Sequence, residues 1–182
     1  MGKQFHLPYE CIPPPAKGRI DYNIVDQTTG SGANPLMDWA DNLIVDHVLD
    51  DYGNFWQGPK NTLPAGFTVQ FSENISLDHI VVRNGNTTPW KCGTKDFEIL
   101  LGRTSNGPWK SILNDSMKNT IAPPWNTPSD LERFDIADNT NGKYMKFVCH
   151  SHHPIHTDAE TWAPRCSMQY LAIYGSHCFN WC

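Results

Sequence analysis

Charged residues are scarce in this sequence, and none of its segments is strongly basic. Lysine, arginine, aspartate and glutamate together make up 18% of the 182 residues, and the formal net charge is -5. A protein that binds nucleic acid needs clustered basic side chains to neutralise phosphates, so we expect no nucleic-acid partner. We expect no membrane insertion either, because no apolar run approaches the roughly 20 residues that a bilayer span requires.

The motifs of the common catalytic centres are also absent. The sequence contains no GxSxG motif, no glycine-rich phosphate loop and no cysteine supported by histidine in the pattern of a thiol nucleophile. The adjacent carboxylates Asp50 and Asp51 do not face a common substrate, as the paired carboxylates of a glycosidase must. We therefore expect a protein that is not an enzyme.

Cysteine, by contrast, is present in a number and spacing typical of disulfide bonds. None of the cysteines belongs to a CxxC pair, which argues against zinc and for an oxidising compartment. Sequons for N-glycosylation favour the same conclusion, at Asn74, Asn86 and Asn114. The sequence predicts a secreted, extracellular protein and leaves the disulfide pairs open. The six cysteines are Cys11, Cys92, Cys149, Cys166, Cys178 and Cys182.

Short stretches of alternating apolar and polar residues predict β-strands, and no stretch has a convincing helical period. We predict strands at 67–71, 77–84, 96–101, 131–136, 143–149 and 168–174. Turn-rich segments such as TSNGPW separate these strands. The first forty residues carry proline and glycine breakers, so we predict an irregular amino-terminal arm there. The whole pattern favours an all-β sandwich or barrel.

Three segments, taken in order, carry a resemblance to one known family. They are ADNLIVDHVLDDYGNFWQ, FTVQFSENISLDHIVVRN and GTKDFEILLG. These segments resemble the discoidin family, also called the coagulation factor V/VIII type C domain, within the galactose-binding-like folds. The closing YMKFVCHS and MQYLAIYGS are similar to the family's last two strands. The resemblance implies an eight-stranded antiparallel jelly-roll β-sandwich, with neighbouring termini and with binding loops at the opposite end.

On this resemblance the chain divides into three parts. Residues 1–35 are the irregular arm, residues 36–178 are the discoidin-like sandwich, and residues 179–182 are a cysteine-containing tail. Because the termini of the family lie close together, the resemblance implies that Cys11 pairs with Cys178 or Cys182.

An acidic segment before Trp56 offers several hard oxygen ligands, as a calcium site requires. In the carbohydrate-binding members that this chain resembles, a structural calcium lies in the equivalent loop. The alternative is a solvated acidic turn, because oxygen-rich loops are common. We assign Trp56 itself to the core. The candidate calcium ligands are Asp46, Asp50, Asp51 and Asn54.

Aromatic residues on predicted turns are the candidate ligand-binding features. An indole ring offers apolar area to the C–H face of a sugar, and nearby polar groups can hydrogen-bond the hydroxyls. The alternative is that each tryptophan caps the core, since tryptophan is usually largely buried. The candidate set is Arg83, Asn84, Asn86, Trp90, Arg103, Trp109, Trp125, His153, His156 and Trp162.

A histidine-rich segment lies between Cys149 and Cys166. Imidazole and carboxylate groups together suit zinc or copper, but Pro154 interrupts the run and the spacing is not HExxH. A long polar loop closed at its base by a disulfide is the simpler interpretation, and pH-dependent binding is a further alternative. The residues concerned are His150, His152, His153, His156, Asp158 and Glu160.

These features predict an extracellular, non-catalytic binding or adhesion module. Its partner would be a glycan, a glycoprotein or a matrix protein, bound through loops at 84–90, 105–109 and 150–162 at one end of the sandwich. The alternative is a structural subunit of an extracellular assembly, in which the arm and the cysteine-containing tail hold neighbouring chains in a homo- or hetero-oligomer.

Overall fold

The described part of the chain consists of β-strands and the turns between them. The computed structural model describes residues 18–27, 56–59, 61–85, 93–118, 130–137, 140–153 and 165–178. Within these ranges there is no helix, and so none that could span a membrane. The strands are β1 (Gly18–Ile20), β2 (Tyr22–Gln27), β3 (Trp56–Gln57), β4 (Ala65–Asn84), β5 (Asp96–Gly102), β6 (Trp109–Ser116), β7 (Leu131–Asp135), β8 (Asn141–Cys149) and β9 (Ser167–His177).

The long strand β4 belongs to both layers of a sandwich. Residues 65–71 pair with β2 and β8, and residues 75–84 pair with β9 and β7, with residues 75 and 76 also reaching β8. A register irregularity between Gln70 and Ile75 separates the two parts. The first layer therefore contains β2, β4, β8, β5 and β6, and the second contains β1, β9, β4, β7 and β3. Every pairing is antiparallel.

Aromatic side chains fill the space between the layers. The Trp56 ring lies 5.2 Å from Phe67 and 5.9 Å from Phe147, edge to face, and Phe97 lies 4.9 Å from Phe134 in the same manner. Each contact joins strands of opposite layers. Successive side chains of a strand point to opposite faces, so the apolar residues of each alternating pattern all face the space between the layers. Trp56 is fully buried, which confirms its assignment to the core.

The all-β antiparallel sandwich is confirmed, and each predicted strand coincides with an observed one, but the structure contains strands that the sequence did not predict. Residues 18–27 do not belong to an irregular arm, contrary to the prediction. There β1 pairs with β9 and β2 pairs with β4, and Ile20 and Tyr22 are buried. Strand β6 is not among the predicted strands, because it lies at the edge and exposes most of its residues, so that its apolar alternation is weak. The described residues thus form nine strands where the resemblance implies eight.

The two ends of the sandwich hold different residues. At one end, which we call the Asn84 end, Ala65 and Phe97 both pair with Cys149, and Asn84 pairs with Met168. At the other, which we call the Trp109 end, Gly102 pairs with both Trp109 and Tyr144. The Asn84 end contains the described residues that flank the segments 28–55, 86–92, 119–129 and 154–164.

Candidate functional site

A buried asparagine organises the Asn84 end. The Asn84 side chain is 0% exposed and its Nδ2 donates to the carbonyl oxygens of Thr94 at 2.7 Å and Lys118 at 3.2 Å. Its Oδ1 accepts from the backbone N–H groups of Gly85 and Thr94, both at 2.9 Å. One side chain thereby hydrogen-bonds backbone groups at three strand ends. Buried backbone N–H and C=O groups need such partners, because they have lost their hydrogen bonds to water.

Three further polar residues complete this arrangement. Thr94 Oγ1 donates to the carbonyl of Ser167 at 3.0 Å, which fixes the start of β5 against β9. The Glu132 carboxylate accepts from the backbone N–H of Lys118 at 3.0 Å, which joins the chain after β6 to β7. We call Asn84, Thr94, Ser167 and Glu132 the polar frame. Sequence reasoning missed the last three, because isolated threonine, serine and glutamate carry no signal of burial.

His153 holds a neighbouring strand end in the same way. Its Nε2 donates to the carbonyl of Met117 at 2.8 Å, its backbone N–H donates to the carbonyl of Gly93 at 2.9 Å, and the residue is 7% exposed. Asn84 and His153 were both candidate ligand contacts, and this placement corrects them. Both residues are buried, and the Asn84 amide and the His153 Nε2 already hydrogen-bond backbone groups, so these atoms support the end of the sandwich.

A disulfide closes the histidine-rich segment at its base. Cys149 at the end of β8 is bonded to Cys166 just before β9, and both are buried, as the polar-loop interpretation predicted. His150 contacts Glu98 at 3.2 Å, whereas His152 Nδ1 lies 3.0 Å from the carbonyl of His153. The described histidines thus have separate partners, and the described ranges contain no group of three such ligands that could hold a metal.

Two carboxylates lie on the outer face of β5 near the Asn84 end. Hydrogen bonds from Ser116 Oγ at 2.7 Å and Ser151 Oγ at 2.5 Å lower the pKa of Asp96. A hydrogen bond from Ser111, assisted by His150, likewise lowers the pKa of Glu98. Both side chains are therefore ionised at neutral pH, and Asp96 connects β5, the end of β6 and the chain after β8.

Trp109 and Arg103 lie at the opposite end from Asn84. The Trp109 ring packs against Gly102, so closely that an added Cβ on Gly102 would lie 3.0 Å from the ring. Lys146 Nζ lies 4.8 Å from the ring centre. Arg103 is exposed in the turn that connects β5 to β6. The prediction that residues 105–109 share one end with residues 84–90 and 150–162 is therefore wrong, because that turn closes the other end.

Arg83 is the remaining candidate within the described residues. It is half-buried on the outer face of β4, beside Asn84, and it pairs in register with Leu131 of β7 and Tyr170 of β9. Of the sequons, Asn74 is half-buried in the bend of β4 and Asn114 is exposed on β6. Cys178 follows β9 at the Trp109 end, where its backbone N–H donates to the carbonyl of Asn74 at 2.9 Å.

The other predicted site residues lie outside the described ranges. For the ligand these are Asn86, Trp90, Trp125, His156 and Trp162. For calcium they are Asp46, Asp50, Asp51 and Asn54, and for the disulfides they are Cys11, Cys92 and Cys182. These assignments stay predictions. The described residues bring together the strand ends that flank all five candidate ligand contacts, and these ends meet at the Asn84 end.

Solved structures with a similar fold include several carbohydrate-binding modules. The family 32 module of Clostridium perfringens NanJ, in complex with galactose, is 11% identical over 87% of this chain and 98% of that chain, with a TM-score of 0.59. The Clostridium perfringens module CpGH89CBM32-5, in complex with GalNAc-β-1,3-galactose, is 10% identical over 86% of this chain and 99% of that chain, with a TM-score of 0.62. The C-terminal domain of a Bacteroides fragilis chitobiase is 15% identical over 87% of this chain and 98% of that chain, with a TM-score of 0.61.

At these identities the likeness establishes the galactose-binding-like jelly-roll fold. Neither a family model nor a curated protein matches the sequence. Membership of the discoidin family within this group of folds stays a prediction.

Proposed function

We propose that this chain is an extracellular, non-catalytic module that binds a glycan at the Asn84 end. The observation that carries the proposal is the similarity in fold to two modules solved with sugars, one with galactose and one with GalNAc-β-1,3-galactose. The first ligands to test are therefore glycans that end in galactose or N-acetylgalactosamine.

The polar frame supports a binding role for this end. Binding sites need side chains held by rigid elements, since ordering them at the moment of binding costs affinity. Asn84, Thr94 and His153 tie the strand ends that flank residues 86–92, 119–129 and 154–164 with hydrogen bonds of 2.7 to 3.2 Å. The segments that carry the candidate tryptophans are thus attached to an ordered base.

The proposed contacts are an aromatic surface with polar neighbours. Trp90, Trp125 and Trp162 would stack on the sugar ring, and Asn86, His156 and Arg83 would hydrogen-bond its hydroxyls. A calcium ion on Asp46, Asp50, Asp51 and Asn54 would order the acidic segment, and carboxylate and amide oxygens are suitable ligands for it. Both assignments are proposals from sequence.

A glycan array followed by calorimetry tests the proposal. We expect Trp90→Ala, Trp125→Ala or Trp162→Ala to weaken the best sugar about tenfold, equivalent to about 1.4 kcal/mol. Trp109→Ala is the matched control, since it removes the same side chain at the opposite end and should leave sugar affinity unchanged. Repeating the titration with a chelator tests the calcium assignment separately.

Two outcomes would contradict the proposal. One is that no glycan binds while the protein forms a tight or covalent oligomer on non-reducing gels, which would support the structural-subunit alternative. The other is that Trp109→Ala weakens sugar binding as much as each of the three other substitutions, because the site would then not be confined to the Asn84 end.

A further inference from the structure

The two described sequons differ in where they place their asparagine. Asn114 is exposed on β6, where it pairs in register with Glu98 of β5. Asn74 is half-buried in the bend of β4, and its carbonyl accepts a hydrogen bond from the backbone of Cys178 at 2.9 Å. A large hydrophilic substituent is therefore accommodated more readily at Asn114, because nothing described there has to move.

Asn114 also lies on an edge of the sheet. Of the described strands only β5 pairs with β6, so within the described residues the other side of β6 presents backbone N–H and C=O groups to no neighbouring strand. Such an edge is a template for pairing with another chain, and proteins protect edges with charge, bulges or covering groups. Strand β6 is eight residues long, which is enough to recruit a second copy.

We propose that Asn114 carries an N-linked oligosaccharide that covers the open edge of β6. This modification requires passage through the secretory pathway, so the proposal rests on the extracellular location proposed above. In the transfer step Asn114 Nδ2 bonds to C1 of an oligosaccharide carried on a lipid pyrophosphate. The bond from C1 to the pyrophosphate oxygen breaks, the lipid pyrophosphate leaves with the electron pair, and the amide gives one proton to a base of the transferase.

The expected consequence is that the chain stays monomeric. A glycan on an exposed side chain of the edge strand occupies the volume that a second β6 would need to pair with the first. The charged residues of β6, Lys110 and Asp115, are exposed but opposite in sign, so they do not repel an antiparallel copy on their own. The register irregularity at Ile112 interrupts only part of the strand, and the glycan would protect the edge beyond it.

Occupancy is tested on the full chain secreted from eukaryotic cells behind a cleavable signal peptide. We expect an endoglycosidase-sensitive shift on gels and a glycopeptide containing Asn114 by mass spectrometry. Asn114→Gln and Ser116→Ala should each remove this glycan, whereas Ser116→Thr keeps the sequon and should retain it. Asn74→Gln is the matched control and should leave the Asn114 glycopeptide unchanged. A secreted chain with the Cys149–Cys166 bond and unmodified Asn114 overturns the proposal.

The protective role is tested by sedimentation of the same proteins over a range of concentrations. We expect Asn114→Gln to self-associate at a concentration at least about tenfold lower than the glycosylated chain. Asn114→Lys also lacks the glycan but places a charge on the edge, and it should remain monomeric. If Asn114→Gln is as monomeric as the glycosylated chain, the edge role is wrong.

Sugar affinity measured on these preparations separates this proposal from the proposed function. A chain glycosylated at Asn114 that binds no sugar contradicts the function alone. A chain that binds sugar but is unmodified at Asn114 contradicts the modification alone.

Discussion

The Asn84 end and the Trp109 end of the sandwich are held together by different physical means. At the Asn84 end, buried side chains donate to and accept from backbone groups, and the Cys149–Cys166 disulfide joins β8 to the start of β9. At the Trp109 end, the chain between β5 and β6 reverses within six residues, and an indole packs over glycine. The first end is stabilised mainly by polar contacts and the second mainly by local turn geometry.

The difference follows from how the chain leaves each end. In the turn after β5, the backbone N–H of Gly107 donates to the carbonyl of Thr104 at 3.1 Å, so the turn satisfies its own groups. Gly107 has a φ of 86°, in the left-handed region that glycine adopts without strain. At the Asn84 end, backbone groups of the described strand ends are paired with the side chains of Asn84 and His153 instead.

The largest effect is expected from removing the centre of the polar frame. Asn84→Ala removes four hydrogen bonds to the backbone of Gly85, Thr94 and Lys118, three of them buried, and should lower the free energy of unfolding by about 4 kcal/mol. Denaturant unfolding measures the loss. The control Asn23→Ala, at an exposed position of β2, should change stability by about 0.5 kcal/mol or less. Similar losses in the two variants would mean that the frame is not needed.

The disulfide should contribute somewhat less. It encloses a loop with a sequence separation of 17, for which the chain-entropy model gives about 3 kcal/mol. We expect the double variant Cys149→Ala/Cys166→Ala to lose about that amount in denaturant unfolding and to become more susceptible to proteolysis between the two positions. Unchanged proteolysis of the segment would show that the polar contacts alone hold this end.

At the Trp109 end the effect should be smaller and should depend on one glycine. Trp109→Ala removes a half-buried indole and its contact with Lys146, and should lower the free energy of unfolding by about 2 kcal/mol. Gly102→Ala should be destabilising in the wild type, since the added Cβ meets the Trp109 ring at 3.0 Å, but less so in Trp109→Ala, where the contact with the Thr104 carbonyl oxygen at 3.3 Å remains. The double-mutant cycle should give a coupling of about 1 kcal/mol, and additive losses would contradict the packing.

The smallest effect is a pH dependence that belongs to the Asn84 end. The pKa of Asp96 is lower in the folded protein than in the unfolded chain. The ionised carboxylate therefore stabilises the fold above its ordinary pKa, and this stabilisation is lost as pH falls through the pKa of the folded state. Stability between about pH 5 and pH 2 should therefore fall less steeply in Asp96→Asn than in the wild type. Asp26→Asn, at an exposed carboxylate of β2, is the control, and its slope should match that of the wild type.

Much of the fold could be predicted from local pattern, and the exceptions have a physical cause. The predicted strands at 67–71, 77–84, 96–101 and 143–149 all lie within observed strands because one face of each is buried in the core. Strands β1 and β6 lie at the ends of the strand order, where few side chains need to be apolar, so their sequences lack the alternation. Part of β4 at 72–74 is a bend and carries no pattern of its own.

The candidate site was less predictable, because the residue types in a turn do not reveal at which end of the sandwich that turn lies. Asn84 and Trp109 are candidates on the same pattern, as a polar and an aromatic residue beside predicted turns. Only the pairing of Gly102 with Trp109 and of Asn84 with Met168 assigns them to opposite ends.

The sequence alone determined the all-β class, and it predicted the burial of Trp56 and a disulfide at the base of the segment between Cys149 and Cys166. Each of these depends on local alternation, on a large apolar side chain or on the residues that bracket one segment. The tertiary structure alone decided that Asn84 and His153 serve the interior and that Trp109 lies away from the proposed site. Those roles depend on contacts between residues far apart in the chain, which no local pattern records.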